Sequence, residues 1–172
     1  MTRFDAALLL LRAVFGLFFA YHGYNKVFGK GGLSGTARWF ASIGMKWPTW
    51  QARIAATTEI GSGVMLAVGF LTPLAAAGII GVMVVAIWVE HRKVGFFVFL
   101  PNQGWEYCAS IAVAVLGIAT LGPGEWSIDH AIGWDWQSWA GTVIALAAGV
   151  GGAVLQLAVS YRPAPKPVAE PA

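Results

Sequence analysis

The sequence predicts an all-α fold, a polytopic membrane helix bundle, on three observations. Of its 172 residues, 58% are hydrophobic and only 11% charged, against about 25% charged in a soluble domain, so the chain cannot cover its surface with polar groups. The apolar residues gather into five runs, 5–28, 52–71, 74–92, 105–122 and 138–160, near the roughly 20 residues a spanning helix needs. Nine tryptophans, many beside polar residues or turns, fit the aromatic belts of a membrane–water interface. Spanning strands would show runs of about 9–11 residues with alternating polarity, which is not the pattern here.

Each element follows from its own stretch. The run 5–28 carries Arg12 and ends in "FFAYHGYNKVFGKGG", residues 18–32. Arg12 within the run, and no small-x-small site after it, mark a retained helix rather than a removed signal peptide. In 29–51, Thr36, Trp39, Phe40 and Ile43 recur at helical spacing with Arg38 and Ser42 off that face, which predicts a short amphipathic helix along the interface. The link "LTP" at 71–73 folds 52–71 and 74–92 into an antiparallel hairpin, and Pro73 suits the first position of the third spanning helix. The run 105–122 holds the single cysteine, Cys108, so neither an intramolecular disulfide nor a CxxC pair can form. Segment 123–137, with Trp126, Trp134 and Trp136 beside Glu125, Asp129 and Asp135, is expected at the opposite interface. The Gly-rich run 138–160 forms the fifth span, and the Pro/Ala-rich tail 161–172 is expected to be disordered.

The net charge is only +3, and most Lys and Arg lie outside the apolar runs or close to their ends. That arrangement sets topology and argues against nucleic-acid binding. The amino-terminal side holds Arg3. The other side, the basic side, holds Lys26, Lys30, Arg38, Lys46, Arg53, Arg92 and Lys93, and also Arg162 and Lys166 if the fifth run spans. The positive-inside rule then puts the basic side and the C-terminus in the cytoplasm and the N-terminus outside.

Four runs deliver titratable groups to the basic half: His22 and Lys26, Glu59, Glu90 and His91, and Glu106. At 1.5 Å per residue, His22 lies about 9 Å and Glu59 about 10 Å from that end. At 100° per residue, Arg12, Phe19, His22 and Lys26 fall within an arc of roughly 80°. A charge at membrane depth is costly unless it faces protein, water or a counter-charge. This stripe is therefore expected to turn inward, with Glu59 paired to Lys26 or His22. Gly61, Ser62 and Gly63, then Gly78 and Gly81, then Gly149, Gly151 and Gly152, are small enough for close helix approach. Structural rivals stand beside these roles. Lys26 can snorkel; Glu90, Arg92 and Lys93 can be interfacial charges; Glu106 can serve the dipole of the helix it opens. Arg12 can pair with Asp5 or snorkel, and a Glu59 pair can be a helix lock alone. His22 and His91 form a weak bis-histidine haem candidate. No zinc-ligand spacing, P-loop, dinucleotide fingerprint or nucleophile elbow occurs.

The stretches "LLRAVFGLFFAYHGYNKVFG", "TARWFASIGM", "AATTEIGSGVMLAVGFLTPLAA" and "MVVAIWVEHRKVGFF" resemble, in that order, the DoxX family of bacterial membrane proteins. The positions that carry the resemblance are His22, Gly23, Lys26 and Gly29, then Thr36, Phe40, Ser42 and Gly44, then Glu59, Gly63 and Gly69. The resemblance covers about residues 8–120. It implies a four-helix DoxX-like core, residues 1–122, in a bacterial inner membrane. The Trp-rich acidic loop 123–137 and the additional transmembrane helix 138–160 go beyond that pattern. It also implies an association with quinone-linked or thiol-linked redox proteins, the family being named after a subunit linked to thiosulfate:quinone oxidoreduction.

Two functional readings from different classes are open. In the first, the protein is a redox-associated accessory subunit that contacts a quinone. His22 and Lys26 donate hydrogen bonds to the quinone carbonyls, Glu59 relays a proton, and Phe18, Phe19 and Tyr21 or Tyr24 flank the ring. The chain shows no electron carrier, so net chemistry would need a partner or bound cofactor. In the second, it is a non-catalytic anchor or assembly subunit that docks a larger membrane complex through the tryptophan loop or fifth helix. A solute or proton pathway through the basic-side pocket is a third, weaker reading.

Overall fold

The structure, a computed structural model, describes residues 2–134, 136 and 139–163. Among these it is all-helical: α1 (Arg3–Phe28), α2 (Gly32–Ser42), α3 (Pro48–Val68), α4 (Thr72–Val89), α5 (Glu106–Leu121), α6 (Ile128–Ala131) and α7 (Trp139–Ser160), with a 3-10 turn at His91–Lys93. The expected runs are all present, and so is the short amphipathic helix, as α2. The expected helix at 52–71 begins earlier, at Pro48, whose missing N–H is harmless in a first turn. Pro73 takes the second rather than the first position of α4, which opens at Thr72. Asp135 and residues 164–172, with the expected disordered tail and Lys166, lie outside the described residues.

Helix ends are joined in two groups, so the five long helices alternate in direction. At one end, the start of α1 meets the segment before α6, where the Glu125 N–H donates to Asp5 at 3.2 Å. The turn between α3 and α4 is bound there too, through the Leu71 N–H and Asp129 at 2.7 Å. At the basic end, the Lys46 N–H donates to the Ser160 carbonyl at 2.8 Å and the Arg162 N–H to the Gly44 carbonyl at 2.7 Å. The end of α7 is thereby tied to the loop before α3. Three helices, α1, α4 and α7, are long and apolar enough to cross a membrane, and α5 is a shorter apolar helix. The protein is a multi-pass helical membrane protein, and its surroundings are a lipid bilayer.

Sequence periodicity explains how α1 sits. Asp5, Leu8, Arg12, Gly16, Phe19 and Gly23 are its buried residues, spaced three or four apart on one face. That face packs on α3 with almost no side chain between the backbones. A Cβ added at Gly63 would stand 2.5 Å from the Gly16 carbonyl oxygen and from the Ala20 nitrogen. One added at Gly61, on the next face, would meet nothing within 4 Å. Gly63→Leu is therefore expected to cost about 1–3 kcal/mol by overpacking, and Gly61→Leu close to nothing. Thermal unfolding of both variants in detergent checks this; equal melting would mean that α1 and α3 are not in close contact.

The central helix is α4. Its buried residues, including Ala75, Ala76, Ile79, Ile80, Met83, Val85 and Val89, face every neighbour, as expected of a helix apolar all round. On its flank, α7 buries Gly141, Ala145, Gly149 and Ala153, a stripe of small residues four apart. Where α7 crosses α4 the backbones are close, a Cβ on Gly149 falling 2.8 Å from the Ala77 carbonyl and one on Gly81 3.1 Å from the Gly149 carbonyl. The fifth helix is thus an integral wall of the bundle. Of the small residues marked in the sequence, Gly63, Gly78, Gly81 and Gly149 lie at helix contacts, while Gly61, Gly151 and Gly152 face open space.

Candidate functional site

The deepest acid of the basic half, Glu59, is 3% exposed. Its position in α3 faces α1, and one carboxylate oxygen accepts a hydrogen bond from the Lys26 ammonium at 2.8 Å. The last turn of α1 supplies that lysine, where a cation also offsets the helix dipole. Thr36 of α2 donates to the Gly32 carbonyl at 3.1 Å and to the Lys26 carbonyl at 3.4 Å, tying α2 to the same turn.

The ion pair stands between two different spaces. Inward lies a cavity of about 420 Å³ among α3, α4 and α7, with Trp39 and Phe40 of α2 at its basic end. That volume is within the roughly 300–1,000 Å³ of small-molecule sites. Its walls are mostly apolar, Ile54, Leu74, Val82 and Val85 among them, with Lys26, Thr58, Glu59 and Gln156 as the polar groups. Outward lies a polar cleft lined by Asn25, Lys26, Lys30 and Thr36. Lys26 borders both, so a charged pair links an aqueous surface to an apolar chamber.

The other sequence candidates go elsewhere. The His22 ring is exposed and lines neither space. The reason is angular: 22 lies roughly 80° from the centre of the buried stripe that runs through Arg12 and Gly16. Phe19 is buried in the apolar core. Tyr21 and Tyr24 are 68% and 52% exposed and stack along the outside of α1, so neither flanks the cavity.

Glu90, His91 and Glu106 are not brought to Glu59 either; they organise the α4–α5 connection. Glu90 is the half-buried C-cap of α4. His91 has one ring nitrogen 2.8 Å from the Gln103 carbonyl and the other 2.6 Å from the Tyr107 hydroxyl. The carbonyl can only accept, so Nδ1 carries a proton, while Nε2 and the Tyr107 hydroxyl share the second hydrogen bond. With both nitrogens engaged, ligation of a haem iron would cost one of these bonds. The Glu106 carboxylate accepts from the Val98 N–H at 3.0 Å, pinning the loop that precedes α5. Among the described residues no group of three or more His, Cys, Asp and Glu is placed to hold a metal ion.

Sequence reasoning missed a second polar cluster, at the amino-terminal end. Arg12 and Asp129 are both fully buried. Arg12 neither snorkels nor bonds Asp5; its Nη2 donates to the Trp126 carbonyl at 2.6 Å, while its Nε and Nη1 are buried without a hydrogen-bond partner. Asp129 accepts from the N–H groups of Leu71 and Thr72 at 2.7 and 2.9 Å, and from the Thr72 hydroxyl at 2.8 Å. Part of the expected interfacial loop is therefore folded into the bundle as a cap. Gly69, which closes α3 at φ +66°, leaves the space that the Arg12 guanidinium fills. Arg12 within an apolar run was the available signal.

Comparison with known proteins adds a family. The DoxX family model matches residues 7–92. "Inner membrane protein YphA" of Escherichia coli (strain K12) is 34% identical over 72% of this chain and 88% of the relative. "Putative oxidoreductase CatD" of Bacillus subtilis (strain 168) is 30% identical over 66% of this chain and 81% of the relative. "Inner membrane protein YqjF" of E. coli is 25% identical over 77% and 96%. No solved structure matches significantly.

Proposed function

The chain belongs to the DoxX family, and we propose that it serves there as a redox-associated accessory subunit of the bacterial inner membrane whose cavity contacts a quinone. The observation that carries this reading is the position of the Lys26–Glu59 pair, at the junction of a polar cleft and an apolar chamber. A quinone ring is flat and apolar, with carbonyl oxygens that need donors, and its reduction takes up protons. The Lys26 ammonium supplies the donor. Glu59 supplies an exchangeable proton site, which the cleft connects to water. The aromatic wall is Trp39 and Phe40 of α2, in place of the tyrosines of α1. A relative named as an oxidoreductase supports the redox context. The electrons come from a partner protein or a bound cofactor, because this chain offers no carrier of its own.

The second reading, a non-catalytic anchor, draws on the ladder of Tyr21, Tyr24 and Phe28 along the exposed face of α1, a surface suited to a partner helix. One experiment separates the two. The protein purified in mild detergent is extracted and its quinone quantified, for wild type and Glu59→Gln. The expected result is bound quinone in wild type and about tenfold less in a Glu59→Gln variant that still folds. Wild type without quinone, or equal retention in the two proteins, would leave the anchor reading standing.

A further inference from the structure

A second hollow adjoins the cavity. It is a groove of about 670 Å³ on the outer surface between α3 and α7, open to the surroundings of the bundle. Ile54, Gly152 and Gln156 line both spaces, so the groove is the cavity's continuation outward. The two helices that frame it flank α4 and scarcely touch each other. They are joined by a hydrogen bond from the Gln156 amide to the Gln51 side-chain oxygen, 2.8 Å long, and by the backbone ties at the basic end.

From this geometry we infer that the cavity opens sideways into the bilayer between α3 and α7, and that the opening holds the apolar tail of the quinone. This rests on the reading of the cavity given above and adds the path and the tail. The groove is apolar over most of its walls, with Trp50, Leu155 and Val159 exposed along it. Its few polar groups are partly engaged with one another. Gln51 and Gln156 bond each other, and the Ser160 hydroxyl donates to the Gln156 carbonyl at 2.6 Å. A surface apolar over most of its walls suits a hydrocarbon chain. It also lies on the flank of a helix apolar enough to span the membrane, where the molecules that reach it are lipidic. The head of a tailed quinone then sits by Lys26 and Glu59, its chain leaves past Gly152, and the Gln51–Gln156 pair bridges the two helices within the groove.

Gly152 and its neighbour provide a matched test, because a Cβ on Gly152 or on Gly151 meets nothing within 4 Å, and Gly151 lines neither space. Binding of a decyl-substituted benzoquinone and of the same ring without the chain is measured for wild type, Gly152→Phe and Gly151→Phe in nanodiscs. A decyl analogue with a terminal diazirine is cross-linked in parallel. Wild type is expected to prefer the tailed ligand by about tenfold or more. Gly152→Phe is expected to erase that preference, Gly151→Phe to keep it, and the cross-links to map to 47–54 and 152–160. No preference in wild type means bulk lipid fills the groove and overturns the inference, as does a preference unchanged in Gly152→Phe. If Gly152→Phe loses both ligands, its ring has entered the cavity, and the cross-links decide: labels scattered along α1 overturn the portal. Wild type that binds neither ligand overturns the cavity reading itself, and the portal with it.

Discussion

Asp129→Ala is expected to destabilise the bundle by about 3–5 kcal/mol, because it leaves two backbone N–H groups and a buried hydroxyl without their acceptor. Asp129 and Arg12 are both fully buried but make no direct ion pair, so the variant takes a nearby opposite charge from the guanidinium rather than breaking a salt bridge. It also strips three hydrogen bonds from the start of α4, and a buried backbone N–H without a partner costs about 1–3 kcal/mol. Leu71, whose N–H makes one of those bonds, sits in the left-handed region at φ +47°, which a leucine adopts at a cost of about 1–2 kcal/mol. The carboxylate is what holds that turn. The consequence is a fall in melting temperature on the order of 10 °C in detergent. Asp129→Asn should recover part of the loss, since its carbonyl can still accept. A variant that melts with wild type would mean that the 123–129 segment is not what binds this end of the molecule.

That cap also shows where sequence reading stops. The spans were legible because burial in lipid forces long apolar runs, and the amphipathic α2 because its period survives in a short segment. The Lys26–Glu59 pairing was legible for a related reason. An acid at that depth in α3 needs a cation, and the buried stripe of α1 passes close to position 26. His22 shows the resolution of such an argument. It lies three residues from Phe19 and one from Gly23, yet at the flank of the stripe, and no count of residues tells a flank from a centre until the partner helix is in place. Asp129 had no period at all. It lies in a loop, and its partners are 57 and 58 residues away. The wall that α7 adds to the cavity was hidden differently. Small residues announce close contact, but Gly149 faces a backbone and Gly152 a void, and the sequence does not separate the two.

Lys26→Met is expected to be more damaging than Glu59→Gln, and the difference tests the site as much as the fold. Glu59 has 4% of its side chain exposed and Lys26 has 25%, so the two partners are not equivalent. Removing the lysine strands a carboxylate in an apolar wall, a loss of about 3 kcal/mol, at the low end for a buried pair because the lysine is partly solvated. Removing the acid's charge leaves an ammonium that already borders the polar cleft and can turn into it, a loss of about 1 kcal/mol. The double variant Lys26→Met/Glu59→Gln carries no stranded charge and should therefore be more stable than Lys26→Met alone. That places about 2 kcal/mol in the coupling of the pair, measured as a double-mutant cycle by chemical or thermal unfolding in detergent. Both single variants should lose quinone, since one removes the donor and the other the proton site. If Lys26→Met proves no worse than Glu59→Gln, the ammonium is not compensating a buried acid. The chamber would then lack the fixed charge pair on which quinone contact depends.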